Sequence, residues 1–249
     1  MAENCKLALL IDAENISPKY IKTIFDELSK YGVVTTKRIY GDWTRPGGAS
    51  WKEIIAENAL LPVQQFQNTA SKNSSDSTLI IDAMDILYSK NIDGFCIVSS
   101  DSDFTRLITR IREDGKIVYG MGERKSPKSL INACDKFIYL DVNQKKEPKG
   151  AKKSPAKSGG RHIDLLSEIG KEKIDALITA ATDSEEDWVY LADVGNRMTK
   201  LFPEFEERNY GFKKLSDFIK ALDIFDVKVE QSNKNGAKTY LIKLKDAKE

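Results

Sequence analysis

From Lys6 to Asp141 short apolar runs alternate with longer stretches whose apolar residues recur every three or four positions. The runs Lys6 to Asp12, Val33 to Gly41, Pro62 to Asn68, Gly94 to Ser100, Lys116 to Gly122 and Lys136 to Asp141 are rich in Val, Ile, Tyr and Phe and read as strands. Helical spacing covers Ser17 to Tyr31, Ser50 to Leu60, Asp76 to Ser89, Asp103 to Glu113 and a short piece near Pro127 to Ala133. Ser17-Pro18 places a capping residue before a proline at the first helical position. Regular βα alternation predicts an α/β fold in which helices cover both faces of a mainly parallel sheet. Ligands of such sheets bind at the carboxyl ends of the strands.

The pattern stops at residue 143. Residues 143–161 are rich in Lys, Pro, Ser and Gly without apolar periodicity and read as a basic flexible linker, its lysines serving solubility or RNA contact. The expected domains are therefore 1–142 and 162–249. The second begins with a helix from Ile163 to about Ala180, passes Trp188-Val-Tyr-Leu, and continues with helices from about Ala192 to Leu201 and from Gly211 to Leu222. Strands Phe225 to Gln231 and Ala237 to Lys245 close it around an Asn235-Gly236 hairpin signal. Three helices followed by a hairpin describe a small winged helix.

Composition narrows the chemistry. Three cysteines, Cys5, Cys96 and Cys134, have no paired spacing, so neither a disulfide framework nor a zinc knuckle is suggested. The single histidine, His162, lies beside the linker, which argues against triads and His-rich metal sites. A metal site must then be built from oxygen ligands. The net charge of +1, from 39 basic and 38 acidic residues, means that a nucleic-acid partner has to be argued from local patches. No apolar stretch approaches the roughly 18 residues of a membrane helix, and a cytoplasmic location without a membrane partner is expected.

Phosphodiester hydrolysis without histidine calls for carboxylates that hold Mg²⁺ or Mn²⁺. Four aspartates are placed for it. Asp12 ends the first strand, Asp101 ends the fourth, Asp103 follows two residues later, and Asp76 opens a helix. Asp76, Asp101 and Asp103 also stand where aspartate caps helices. Asp12 has no such explanation, because Ala-Glu-Asn follows it before any helix begins. Asp82 lies about 120° around the helix from Asp76, which suits a role behind the ligands or through a water, and Asn15 could orient the Asp12 carboxylate. Arg38, Arg45, Lys72, Arg106 and Arg110 lie where a polyanion would pass, with Trp43 and Trp51 available to stack bases or to pack a loop.

These residues carry a resemblance. Leu10-Ile-Asp-Ala-Glu-Asn15, Ser71-Lys-Asn-Ser-Ser-Asp76, Ile80-Ile-Asp-Ala-Met-Asp85 and Val98-Ser-Ser-Asp-Ser-Asp-Phe104 resemble the bacterial NYN domain family of PIN-like ribonucleases, over about residues 6 to 141. The resemblance implies a PIN-like α/β/α sandwich and Mg²⁺- or Mn²⁺-dependent RNA hydrolysis. Asp12, Asp76, Asp101 and Asp103 would be the catalytic, metal-holding acids, with Asn15 and Asp82 inside the same motifs. Trp188-Val-Tyr-Leu-Ala-Asp-Val-Gly195 and the segment Pro203 to Leu215 resemble a LOTUS (OST-HTH) domain, over about residues 163 to 245. That module implies RNA binding or protein docking, with Tyr210, Lys213, Lys214, Lys220 and Lys234 the residues to test and Tyr210 and Phe212 equally suited to a core.

A metal-dependent ribonuclease acting on RNA, single-stranded by expectation, is the leading reading. A non-catalytic RNA-binding adaptor is the alternative. An aspartyl-phosphate phosphatase is weaker, since Asp12-Ala-Glu14 replaces the second aspartate of that motif with glutamate. Homo-oligomerisation stays open.

Overall fold

Strand β1 (Lys6–Asp12) is buried at every position but its first, so it belongs in the middle of a sheet rather than at an edge. In the computed structural model, which describes residues 5–65, 74–89, 91–142, 165–183, 187–231 and 238–245, it does. β2 (Val33–Gly41) and β3 (Leu61–Gln64) lie on one side of it, and β4 (Gly94–Val98), β5 (Ile117–Gly122) and β6 (Lys136–Tyr139) on the other, in the order β3-β2-β1-β4-β5-β6. Every neighbouring pair is parallel, so the sheet is wholly rather than mainly parallel. Helices α1 (Ile21–Leu28), α2 (Lys52–Glu57), α3 (Ser74–Ser89), α4 (Thr105–Glu113) and α5 (Lys128–Ala133) connect the strands.

The period of two in β1 decides what each face touches. Leu7, Leu9 and Ile11 enter a core with Ile24 and Leu28 of α1 and with Trp51. Ala8 and Leu10 enter the opposite core with Leu79, Ala83 and Ile86 of α3 and Leu107, Ile108 and Ile111 of α4. Each fully buried Leu or Ile contributes about 1.5–3 kcal/mol. Chain order matters more for the site. The connection after β1 leads to β2 on one side and the connection after β4 leads to β5 on the other, so a crevice opens between the carboxyl ends of β1 and β4.

Several boundaries differ from expectation. The first helix begins as a 3-10 turn at Pro18–Tyr20, and Ser17 precedes it without a side-chain cap bond. The expected second helix is a 3-10 segment, Pro46–Trp51, before a short α2. β3 is described only to Gln64, and the rest of the strand expected to reach Asn68 lies largely outside the described residues.

The chain divides into two units, Met1–Gln144 and Lys145–Glu249. The expected linker, His162 and the Asn235-Gly236 turn lie outside the described residues. In the second unit the single helix expected up to Ala180 is two pieces: a turn at 165–169 and α6 (Lys171–Thr182), parted by Gly170 at φ 84°. At φ 84° and ψ 148° the backbone leaves the helical path just before α6, and glycine takes that conformation without steric cost. Gly211, at φ 85°, likewise closes a 3-10 turn, so the expected helix from Gly211 starts instead at Leu215. The remaining elements are β7 (Val189–Tyr190), α7 (Leu191–Leu201), α8 (Leu215–Leu222), β8 (Phe225–Gln231) and β9 (Lys238–Leu244). β7 and β8 flank β9 antiparallel, and Leu177, Met198, Phe218, Leu222 and Ile242 share one core beneath them. This is a winged helix.

Candidate active site

Asp12 is the last residue of β1, and Ser99, Ser100 and Asp101 leave the adjacent end of β4. The Asp12 carboxylate is 1% exposed and fully held. Its Oδ2 accepts hydrogen bonds from Ser99 Oγ (2.7 Å) and Asn15 Nδ2 (2.8 Å), and its Oδ1 accepts from the backbone N–H groups of Glu14 (3.1 Å) and Asn15 (3.3 Å). Burial pushes its pKa up, while these bonds, Ser99 first, pull it back. Ser99 Oγ also accepts from the Asp101 backbone N–H at 3.1 Å, so one buried hydroxyl ties the two strand ends together. Asp101 realises the capping geometry, its Oδ1 accepting from the Asp103 N–H at 3.0 Å.

Asp76 comes from the first turn of α3 and is 6% exposed. Its carboxyl has no hydrogen-bond partner among the described residues. Its pKa is pushed up to about 7, first by burial and then by the charges of Asp12, Asp101, Asp103 and Glu14. Two distant stretches, 12–14 and 101–103, thus bring acids to bear on the Asp76 carboxyl. Asp76, Asp101, Glu14 and Asn15 line one side of a cleft of about 890 Å³, and Trp43, Arg45 and Gly47 of the β2–α2 connection line the other.

The donor set suits a hard divalent cation: every candidate ligand is an oxygen, and Asp76 is a buried carboxylate surrounded by like charge. Among the described residues, however, no group of three or more His, Cys, Asp or Glu side chains is drawn together closely enough to hold a metal ion. Glu14, Asp76 and Asp101 face the cleft, whereas Asp12 and Asp103 are not part of its lining, and the four expected ligands form no closed cage.

Other expected residues are placed differently. Asp82 accepts hydrogen bonds from Arg38 and from the Tyr40 hydroxyl, so it anchors α3 to β2 instead of supporting the acids directly. Arg38, expected to meet RNA, is neutralised in that pair with its side chain 22% exposed. The reason is parity: Arg38 and Tyr40 point to the sheet face that α3 covers. Arg45 lines the cleft and pairs with Asp42 at 3.3 Å. Arg106 is 80% exposed and pairs with Glu113 at 3.6 Å, and Arg110 contacts Tyr88 and Asp114. Lys72 and Lys234 lie outside the described residues. Trp51 is buried and Trp43 half-buried.

In the second unit Tyr210 is a packing residue, its ring 5.2 Å from Phe218 and its hydroxyl bonded to Lys173. Of the two roles expected for Tyr210, the structure shows the packing one. Phe212 meets Phe218 edge-on. Lys213 and Lys214 are exposed just before α8, and Lys220 stands over the Tyr240 ring. Two contributors escaped the sequence reading. Ser99 was visible only as part of a Ser-Ser-Asp motif, and Glu14 only as a poor fit to a phosphatase motif.

The NYN domain matches residues 6–141, more than half of the 249. The chain belongs to the NYN domain family. Residues 165–236 match the OST-HTH/LOTUS domain. The first brings a PIN-like nuclease-type fold and the second implies RNA binding. An uncharacterized protein of Methanocaldococcus jannaschii is 31% identical over 142 residues, covering 54% of this chain and 55% of its own length. The chain thus spans about half the length of that curated relative. Among solved structures, a protein of unknown function from Vibrio parahaemolyticus is 21% identical, with a TM-score of 0.48 over 55% of this chain and 94% of its own. An uncharacterized protein of Nitrosomonas europaea is 28% identical, with a TM-score of 0.26 over 43% of this chain and 93% of its own. Among the described residues of this NYN protein, no helix is long and apolar enough to cross a membrane.

Proposed function

We propose that the protein is a ribonuclease dependent on Mg²⁺ or Mn²⁺, with RNA, single-stranded in this reading, entering the cleft between β1 and β4. The observation that carries the reading is the buried Asp76 carboxyl, held near a pKa of about 7 by burial and four facing acids. A cation would be held by Asp12, Asp76, Asp101 and Asp103, and when bound it lowers the pKa of water and offsets charge developing on the phosphoryl group. The chain's own part is positional. Ser99 and Asn15 fix the Asp12 carboxylate, Asp101 is held by its cap bond, and Asp76 keeps its proton below neutral pH until a cation competes for the site. The LOTUS unit supplies RNA affinity through exposed lysines such as Lys213 and Lys214.

The test is cleavage of end-labelled RNA with and without Mn²⁺. Wild type should cut only with the ion, and Asp12→Asn and the double variant Asp101→Asn/Asp103→Asn should lose at least about a hundredfold in rate. Equal rates in all three proteins would reject the reading. A non-catalytic RNA-binding adaptor is the second reading, favoured by the lack of a closed acid cage among the described residues. It expects salt-dependent RNA binding with the RNA left intact.

A further inference from the structure

The wall of the cleft opposite the acids has a different chemistry. Trp43 is half-buried there, and its indole cannot swing freely. The indole Nε1–H donates to the Val63 carbonyl at 3.2 Å, and its backbone N–H donates to Gln64 Oε1 at 3.0 Å. Asp42 secures the same turn by accepting from the Thr44 backbone N–H, the Thr44 hydroxyl and Gln64 Nε2. The backbone on either side of the turn comes close: a Cβ added at Gly41 would stand 3.5 Å from the Trp43 ring, and one added at Gly48 would stand 2.9 Å from the Trp43 Cα. The ring is a fixed platform.

Charge and space define what the platform takes. Arg45, which also lines this wall, pairs with Asp42 at 3.3 Å, and the indole face beside that pair suits a flat, weakly polar group. A Cβ at Gly47, which also lines the cleft, would meet nothing within 4 Å, so room is open above the turn. Fixed aromatic faces beside an open slot bind nucleobases by stacking, and every base offers such a face.

We propose that Trp43, Gly47 and Gly48 form a nucleobase subsite across the cleft from the acids. One unstacked base rests on the indole while the adjoining backbone passes Asp76 and Asp101. The subsite rests on the reading of this cleft as an RNA site, and it requires the bound nucleotide to be unpaired.

The experiment uses the full chain and a single-stranded oligouridylate carrying one 5-iodouridine, irradiated without divalent metal. Crosslinked peptides are mapped, and affinity is measured by anisotropy. The crosslink is expected at Trp43 in wild type and in Asp76→Asn. Trp43→Ala should abolish it and weaken binding between about fivefold and a hundredfold, the span of base–aromatic stacking. Trp43→Phe should keep affinity within about threefold because the stacking face remains. Gly47→Phe, whose Cβ has no protein atom within 4 Å, should block the crosslink while the melting temperature stays near that of wild type. Crosslinks that fall only outside residues 42–51, with wild-type affinity in Trp43→Ala, would overturn the subsite. Crosslinking at Trp43 without cleavage in Mn²⁺ would keep the subsite and remove the nuclease reading. Cleavage in Mn²⁺ with no effect of Trp43→Ala or Gly47→Phe would do the reverse.

Discussion

Replacing Asp76 by Asn should stabilise the protein at neutral pH, although it removes a candidate functional group. The carboxyl has a pKa of about 7 in the fold against 3.8 ordinarily. Below pH 3.8 it is protonated in both folded and unfolded chains, and it contributes no pH dependence. Between the two values the unfolded chain loses the proton and the folded chain keeps it, so stability falls as pH rises; above about 7 the penalty is constant. At roughly 1.4 kcal/mol per tenfold change in proton affinity the full penalty is about 4 kcal/mol. The cleft beside Asp76 is open to water, and screening reduces the working figure to about 2 kcal/mol. Asparagine mimics the protonated acid, so Asp76→Asn should melt higher than wild type at pH 8, by about 6 °C for a unit of this size, with the gap nearly closed by pH 4. Calorimetry of both proteins across that range provides the test, and the difference between them cancels groups that titrate alike in each. Equal melting temperatures at pH 8, or a variant less stable there, would refute the repulsion argument. A companion measurement adds Mn²⁺ at pH 8. The wild-type transition should rise with metal concentration and that of Asp76→Asn should rise less, because binding to the folded state alone adds to stability.

Ser99→Ala deletes a buried hydroxyl that serves both strand ends, and should cost about 1–3 kcal/mol in urea unfolding. It should also raise the Asp12 pKa further, because the strongest bond lowering it is lost; carboxyl NMR titration reads this directly. Gly120→Ala would place a Cβ 2.5 Å from Cys134 Sγ and 2.6 Å from the Phe137 ring, so about 1–3 kcal/mol should be lost in the same assay. Arg38→Met leaves Asp82 without its cation and should lower the melting temperature while the salt slope of RNA binding stays unchanged. Lys213→Ala and Lys214→Ala should each reduce that slope by about 0.7, the single-strand figure per phosphate contact, with little change in stability.

The alternation of apolar runs determined a parallel α/β sheet, because strands covered on both faces must be apolar throughout and helices must carry one stripe. Even the bounds of β1 and β2 were readable, since Asp12 ends an apolar run and Gly41 ends a stretch rich in β-branched and aromatic residues. The motifs around Asp12, Asp76 and Asp101 located the acids, but only the strand order made them neighbours. β1 and β4 are adjacent because the chain crosses back after β3, and no local pattern encodes that crossing. The tertiary structure also decided which charges are spent internally. Arg38 and Tyr210 look like RNA-binding residues in sequence, yet sheet parity turns one toward Asp82 and core packing turns the other toward Phe218. Helix breaks at Gly170 and Gly211 depend on a positive φ, which glycine permits but does not announce. The charge on Asp76 depends on burial and on four acids from other stretches of chain, and proximity of that kind exists only once the chain has folded.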